Sequence, residues 1–343
     1  MFQTCKENTM KTTLIFLTAS AATLSLATSV LAQDTGFEWE GEIEIGVDST
    51  VSADDPAAEI TDTYVSAELE FEAAIAAHFS VFGGLTLESV LDATDDRTFD
   101  DLGLYFSTLG LRYTFDDTQI SVGKIAPVFA RAWDEAPGFY GTTLAEDYEL
   151  SEMIGMSLDT ALGGGTLSLA VFYADDTGLS NSIGTKRGRN STANGGVGNT
   201  GKLNNFAVQY SQEFGDTSAW VGARHLSAGT GDVSDETGVV VGASHSFSSG
   251  WDVIGEVSYF DGVGGTDDSA TYVTAGAAYG LEDWTFSAAA TVVNHSNASN
   301  DSLITLGVDR ALTETIEVGF GVARFDVGGE KSTSVGLSAV MSF

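Results

Sequence analysis

Residues 37–47 read FEWEGEIEIGV. Phe37, Trp39, Gly41, Ile43, Ile45 and Val47 fall on one parity, and Glu38, Glu40, Glu42 and Glu44 on the other. A period of two belongs to a β-strand, whose successive side chains point to opposite faces. A strand with one apolar and one acidic face separates an oily phase from a wet one. The pair can be a soluble core and solvent, or lipid and an aqueous interior. Residues 65–75 repeat the pattern, with Val65, Ala67, Leu69, Phe71 and Ile75 against Glu68, Glu70 and Glu72.

Outward from these two stretches, the alternation predicts strands at 78–90, 99–115, 119–126, 149–160, 165–174, 204–214, 217–226 and 237–248. It continues at 251–260, 270–280, 283–294, 302–312, 314–326 and 331–343, making sixteen strands in all. Each has roughly the ~9–11 residues a tilted bilayer-crossing strand needs, or more. Slips to fourteen or eighteen strands stay open around 99–126 and 237–260. Tight connections such as 115–118, 163–165, 214–216 and 249–250 alternate with longer polar ones at 48–60, 91–98, 127–148, 175–203, 227–236, 261–269, 295–301 and 327–330. Short turns at one end and long loops at the other are the pattern of an outer-membrane barrel. The three prolines, Pro56, Pro127 and Pro137, all fall in the long set, as a residue without a backbone donor must. Aromatics at strand ends (Trp39, Tyr113, Trp251, Tyr279, Trp284) suit the girdles at two membrane interfaces.

The totals agree. Lys and Arg number 14 against 49 Asp and Glu, for a formal charge of −35. That balance excludes nucleic acid as a partner, because a phosphate backbone is held by clustered basic residues. Aromatic and β-branched residues throughout argue against disorder. At the N-terminus Lys11 precedes an apolar run, 14–32, that ends in Val30-Leu31-Ala32. This is the form of an export signal with a small-residue cleavage site. A signal at 1–32 is expected, with translation starting at Met1 or at Met10, and one domain at 33–343. Cleavage would remove Cys5, the single cysteine, and with it any disulfide or thiol chemistry. No other stretch has the 18 or so continuous apolar residues of a membrane helix. A closed barrel is the other way to cross a bilayer.

One connection stands apart. Residues 127–150, PVFARAWDEAPGFYGTTLAEDYEL, keep neither period for long and carry five aromatics and two of the three prolines. Long connections without structure of their own are functional or disordered, and five aromatics need something to pack on. The loop is expected to fold into the barrel mouth and bring Arg131, Asp134, Glu135, Glu146 and Asp147 to the narrowing.

With these features the chain resembles the Gram-negative general porins, above all the α-proteobacterial ones, over 33–343. The likeness rests on sixteen strands, a long third external loop entered through Ile120-Ser121-Val122-Gly123-Lys124, and the ending Gly336-Leu337-Ser338-Ala339-Val340-Met341-Ser342-Phe343. It implies an all-β fold, a 16-stranded antiparallel transmembrane β-barrel with the third loop folded into the lumen. It further implies a homotrimer in the bacterial outer membrane, among lipid and lipopolysaccharide. The terminal strand closed by Phe343 would be recognised by the barrel-assembly machinery. The function implied is passive diffusion of small hydrophilic solutes and ions, with no catalysis and no cofactor. Loop carboxylates would face basic residues on the opposite wall and set a transverse field.

Parity says which basic residues can serve. Arg112 opposes Leu109, Leu111 and Tyr113, and Arg224 opposes Ala219, Val221 and Ala223, so both point inward. Lys124 shares parity with Ile120 and Val122 and is expected to face lipid unless Gly123 makes a bulge. Arg310 and Arg324 share the apolar parity near strand ends, where long side chains can snorkel. Lys186, Arg187 and Arg189 read more readily as a solvated run than as an addition to the lumen. Glu42, Glu44, Glu68 and Glu70 would line one wall with Glu38, Glu40 and Glu72. A lumen of one sign concentrates counter-ions, so cation preference is expected.

Other motifs carry less. Gly196-Val197-Gly198-Asn199-Thr200-Gly201-Lys202 has phosphate-loop spacing, but Leu203 follows and a strand stands where a helix is needed. His295-Ser296-Asn297 invites comparison with lipid-cleaving barrels, yet nucleophilic catalysis needs the base in contact with the hydroxyl, and loop polarity explains the run. His78, His225 and His245 are scattered. Asp54-Asp55 and Asp267-Asp268 in the acidic loops offer carboxylates to Ca²⁺ or Mg²⁺, with solvated charge the simpler reading. The alternative to a diffusion channel is an adhesion or receptor barrel with a plugged lumen.

Overall fold

The computed structural model describes residues 36–343; the export signal read at 1–32 lies outside them. The strands are β1 (Phe37–Ala53), β2 (Thr61–Ala76), β3 (Phe79–Ser89), β4 (Leu102–Phe115), β5 (Thr118–Ile125), β6 (Met153–Leu162), β7 (Gly165–Ala174) and β8 (Asn205–Phe214). They continue as β9 (Thr217–Leu226), β10 (Glu236–Ser246), β11 (Trp251–Asp261), β12 (Ser269–Leu281), β13 (Trp284–His295), β14 (Asp301–Ala311), β15 (Ile316–Val327) and β16 (Glu330–Ser342). Each pairs antiparallel with its chain neighbours, and β1 pairs with β16, so the sheet closes on itself. The remaining two of the eighteen ladder segments, Arg97–Thr98 and Ile183–Gly184, are two-residue bridges made by loops. The chain is a 16-stranded antiparallel barrel.

Alternation places the side chains. Val221, Val241, Val257, Val273, Ile304, Leu306, Phe320 and Leu337 are exposed. Their opposite-parity neighbours Trp220, Val240, Glu256, Thr274, Thr305 and Ser338 are buried. This inverts a soluble protein: the oily band faces outward and the polar set inward, as a bilayer around a closed barrel requires. Rings cluster where strands meet the short turns, with Phe79 on Tyr113 at 4.7 Å and Trp251 on Tyr279 at 4.9 Å. At the seam the Phe343 N–H donates to Gly41 O at 2.9 Å, the Gly41 N–H returns to Phe343 O at 3.0 Å, and Trp39 packs on the Phe343 ring.

Three boundaries differ most from the alternation. β1 runs on to Ala53 and β2 starts at Thr61, because Asp48, Ser49 and their partners Asp62 and Thr61 keep the ladder going after the apolar pattern ends. β6 begins at Met153, not at 149, so the third loop spans 126–152. β5 is short, and β4 pairs with it only from Leu109 onward. The edge left free at Gly103 and Leu104 is taken up by Ile183–Gly184 of loop 4 (175–204), which thereby patches the wall. The register shifts between Thr50 and Ser52, Ala74 and Ala76, and Gly84 and Leu85 all lie in β1 to β3.

Candidate functional site

Loop 3 leaves β5 at Pro127, which has no N–H to continue a ladder. It carries one helical turn, α1 (Ala132–Glu135), and a 3-10 turn, Glu146–Tyr148. Its hydrogen bonds go to side chains of the barrel wall. Glu256 of β11, 3% exposed, accepts from four donors: Arg131 N at 2.8 Å, Ala132 N at 3.3 Å, the Tyr148 hydroxyl at 2.7 Å and Trp220 Nε1 at 2.6 Å. Ala130 N donates to Gln209 Oε1 at 2.6 Å, Tyr140 to Asp48 at 2.5 Å and Tyr272 to Asp147 at 3.2 Å. Tyr148 packs on Phe260 at 5.5 Å and on Tyr272 at 5.1 Å. Buried polar groups in such a place are satisfied or costly, and these satisfy one another.

A groove of glycines seats the loop's middle. Ser287, Gly307, Gly321, Gly336 and Asp48 are cross-strand neighbours in one row from β13 to β1. A Cβ at Gly321 or Gly336 would run into Phe139, and one at Gly276 into Pro137. The loop thus lies on β8 to β16 and β1, always on the face opposite the exposed apolar band.

The five residues expected at the narrowing divide into two groups. Arg131 lies over the Trp220 ring at 5.0 Å, meets Glu135 at 3.4 Å and donates to Ser218 at 3.1 Å. Asp134 and Glu135 keep exposed surface while being walled in by protein. Burial raises both carboxyls above their ordinary range, with Arg131 pulling the other way. Glu146 instead accepts from Thr142, and Asp147 from Tyr272, so these two hold the loop's shape.

On the wall, Arg112 and Arg224 have the parity expected, with different surroundings. Arg112 pairs with Glu72 and lies over Phe82 at 4.7 Å. Arg224 is 4% exposed, paired with Glu236 at 2.6 Å, and donates to Tyr148 O at 2.5 Å beneath Phe129 and Phe260. It is a strut for the loop and presents no open charge. Glu42 stands opposite Glu68 and Glu40 opposite Glu70, while Glu44 is buried and accepts from Tyr64 at 2.7 Å. Glu38, Glu40, Glu70, Glu72 and Asp159 line a cavity of about 450 Å³, in which Arg112 is the one basic side chain among the described lining residues.

One expectation is corrected. Lys124 does not face lipid: its side chain is fully buried, 2.6 Å from Glu152 and 3.0 Å from Asp175, and donates to Leu179 O. Gly123 keeps its register but takes φ +143°, and folded loop 4 covers the end of β5. In the basic run of loop 4, Lys186 and Arg189 are exposed, as a solvated run would be, and Arg187 is drawn in. Arg187 pairs with Glu152 and stacks 3.6 Å over Tyr105, Lys186 donates to Ser182 O, and Arg189 to Asp176 O. Glu256 and the glycine row were missed. The signal was available for Glu256, a lone carboxylate among Ile254, Ser258 and Phe260 on the inward parity of its strand.

The remaining motifs are occupied in folding the loops. Ser296 donates its hydroxyl to Asp268 at 2.7 Å, and His295 Nδ1 meets the other Asp268 oxygen at 2.8 Å, so the hydroxyl faces a carboxylate and not the imidazole. Burial alone would raise the Asp268 carboxyl, but bonds from Ser296, His295 and the Asn297 amide hold it down at about 2. A depressed acid stabilises above its ordinary value near ~3.9 and loses that contribution as pH falls through the depressed one. The loops at 262–268 and 296–300 are therefore expected to resist pepsin at about pH 4 and yield near pH 2, with rates taken relative to an unfolded control; equal rates would discount the latch. Asp55 caps Ala57 N and Asp54 accepts from Lys331 N. Among the described residues no group of three His, Cys, Asp or Glu is placed to hold a metal ion. Residues 196–202 run into β8, a strand.

Comparison with known proteins bears on the whole barrel. Solved structures of similar fold include the outer membrane channel DcaP of Acinetobacter baumannii, with TM-score 0.62, 14% identity, and coverage of 90% of this chain and 97% of that one. The anion-selective porin of Comamonas acidovorans gives 0.57 and 13%, covering 90% and 99%. A mutant of Rhodobacter blastica porin gives 0.58 and 14%, covering 90% and 100%. No curated protein sequence matches. The sequence profile described as Gram-negative porin matches residues 17–330. With a closed barrel, an outward apolar band and a profile match over most of its length, the chain belongs to the Gram-negative porin family of the bacterial outer membrane.

Proposed function

We propose that this porin is a passive channel for small hydrophilic solutes and ions, narrowed by loop 3 within the lumen and preferring cations. The observation that carries the reading is an asymmetry. Loop 3 is pinned to β8 to β16 and β1, and in the cavity beside it Glu38, Glu40, Glu70, Glu72 and Asp159 outnumber the one basic side chain, Arg112. A sheet of sixteen strands is too wide for side chains to fill. A low-dielectric passage lined by one sign of charge raises the local concentration of the other. The Comamonas channel of similar fold is anion-selective, so the fold does not set the sign; wall charge does. Assembly as a homotrimer, contact with lipopolysaccharide and recognition of the Phe343-ended strand by the barrel-assembly machinery go with this reading.

Current through a planar bilayer tests it. Under a KCl gradient the reversal potential is expected to favour K⁺, with steps arriving in threes. An anion-favouring potential removes cation preference, and well-folded protein without steps removes the channel. Because the Asp134 and Glu135 carboxyls are raised, they take up protons on acidification before ordinary carboxylates near ~4 do. Cation preference should start to fall above that range. A permeability ratio constant from about pH 7 to pH 4 would take these two residues out of the selectivity.

A further inference from the structure

Arg310 of β14 and Arg324 of β15 lie on the lipid-facing side of the wall, as their parity implies, and both are exposed. Arg324, near the long-loop end, donates to Thr333 Oγ1 at 2.8 Å and is satisfied by its own sheet. Arg310, near the short-turn end, stands between Trp284 of β13 and Val318 of β15, and its guanidinium lies over the Trp284 ring at 4.9 Å. Among the described residues it is the one arginine that makes neither a hydrogen bond nor an ion pair; the other seven each donate to an oxygen of the chain.

An arginine on the lipid face is costly at the bilayer midplane but costs little near an interface. The Trp284 ring fixes this one in place. A guanidinium over an aromatic face keeps its N–H groups in its own plane, free of the ring. That edge matches a phosphate, which accepts from it in a bidentate pair.

The surface above and below Arg310 narrows the choice of phosphate. One rung further into the membrane, Val308 stands between Phe286 of β13 and Phe320 of β15. Both rings are exposed and larger than the valine, so a shallow apolar valley leads from Arg310 along β14. The turns beside it are acidic. Glu282 and Asp283 precede Trp284, Glu314 stands in the next turn, and all three are exposed. Ala311 N donates to Asp283 O at 2.9 Å, which keeps that turn next to Arg310. A phosphate that brings its own cation suits this rim better than one of net negative charge.

We propose that Arg310 and Trp284 bind the phosphate of a zwitterionic phospholipid bearing a primary ammonium. One acyl chain lies in the valley over Val308, and the ammonium is directed to the acidic turns. The lipid belongs to the inner leaflet, because short turns mark the periplasmic end of such barrels. The site rests on membership of the outer-membrane porins and is independent of conduction.

Native mass spectrometry of the detergent-solubilised protein, titrated with palmitoyl-oleoyl phosphatidylethanolamine, reads the binding directly. Wild type should hold one lipid per chain about tenfold or more tighter than Arg310→Gln, as loss of a charge-assisted hydrogen bond implies. Val308→Phe fills the valley but leaves the arginine, and should also weaken binding. Neither side chain is buried, so both variants should keep the resistance to SDS without heating that marks a closed barrel. Phosphatidylglycerol with the same chains lacks the ammonium and should bind less tightly, and inorganic phosphate should not displace the lipid. No lipid held by wild type, or equal retention in wild type and Arg310→Gln, would overturn the site. Phosphatidylglycerol binding more tightly would overturn the part given to the acidic turns. Displacement by inorganic phosphate, or full retention in Val308→Phe, would overturn the acyl valley.

Discussion

Glu256→Ala should turn a quiet channel into a noisy one of higher conductance. One carboxylate holds both ends of loop 3, through Arg131 N and Ala132 N at the start and the Tyr148 hydroxyl near the finish, and it also binds the Trp220 indole of the wall. Truncation strands four donors, and each buried donor left without a partner costs about 1–3 kcal/mol. Even with partial relaxation the total reaches several kcal/mol, enough to favour a displaced loop that solvates those groups. Glu256→Gln keeps one acceptor oxygen and should give an intermediate result, which separates loss of the hydrogen bonds from loss of volume. Single-channel recording reads the outcome. Glu256→Ala steps with wild-type size and noise would mean the glycine groove and the aromatic contacts hold the loop unaided.

Lys124→Met should cost the barrel about 3–5 kcal/mol, the usual penalty for removing one partner of a buried ion pair. The ammonium is fully buried between Glu152 and Asp175. Glu152 retains Arg187 in the variant, so the uncompensated charge falls on Asp175, which is 3% exposed. The urea midpoint of detergent-solubilised protein should drop. Lys124→Met combined with Asp175→Asn should recover much of the loss, because a neutral amide replaces the stranded carboxylate. A midpoint unchanged in Lys124→Met would place the stability of this region in loop 4's backbone bridge to β4 instead.

These two residues also show where the sequence was legible and where it was not. Alternation reports which face a residue occupies, because a strand's geometry is local. Arg112 and Arg224 therefore sit on the parity that their neighbours imply. Alternation does not report what else arrives at that face. Arg224 is buried under a loop 76 residues away in sequence, and Glu256 meets donors up to 125 residues distant. Lys124 was misplaced because parity assumes an ordinary strand backbone up to its end. Gly123 departs from it at φ +143°, and the carboxylates that bury the lysine come from the end of loop 3 and the start of loop 4. Loop 3 was recognisable by its aromatics and its broken period, while its seat, the row Gly307–Gly321–Gly336, consists of residues whose signal is a missing side chain on three separate strands.

The one-sided seating of loop 3 has a mechanical consequence. Along β8 to β16 the wall is backed by packed rings and hydrogen bonds and acts as a buttressed arch. The register shifts of β2 and β3 fall in the other arc, where a single sheet stands alone and a bulge lets a strand bend. Squeezed sideways by the surrounding bilayer, such a tube flattens on its thin side first. Lateral membrane pressure would then act on the acidic arc and change the width of the passage, leaving the loop where it is.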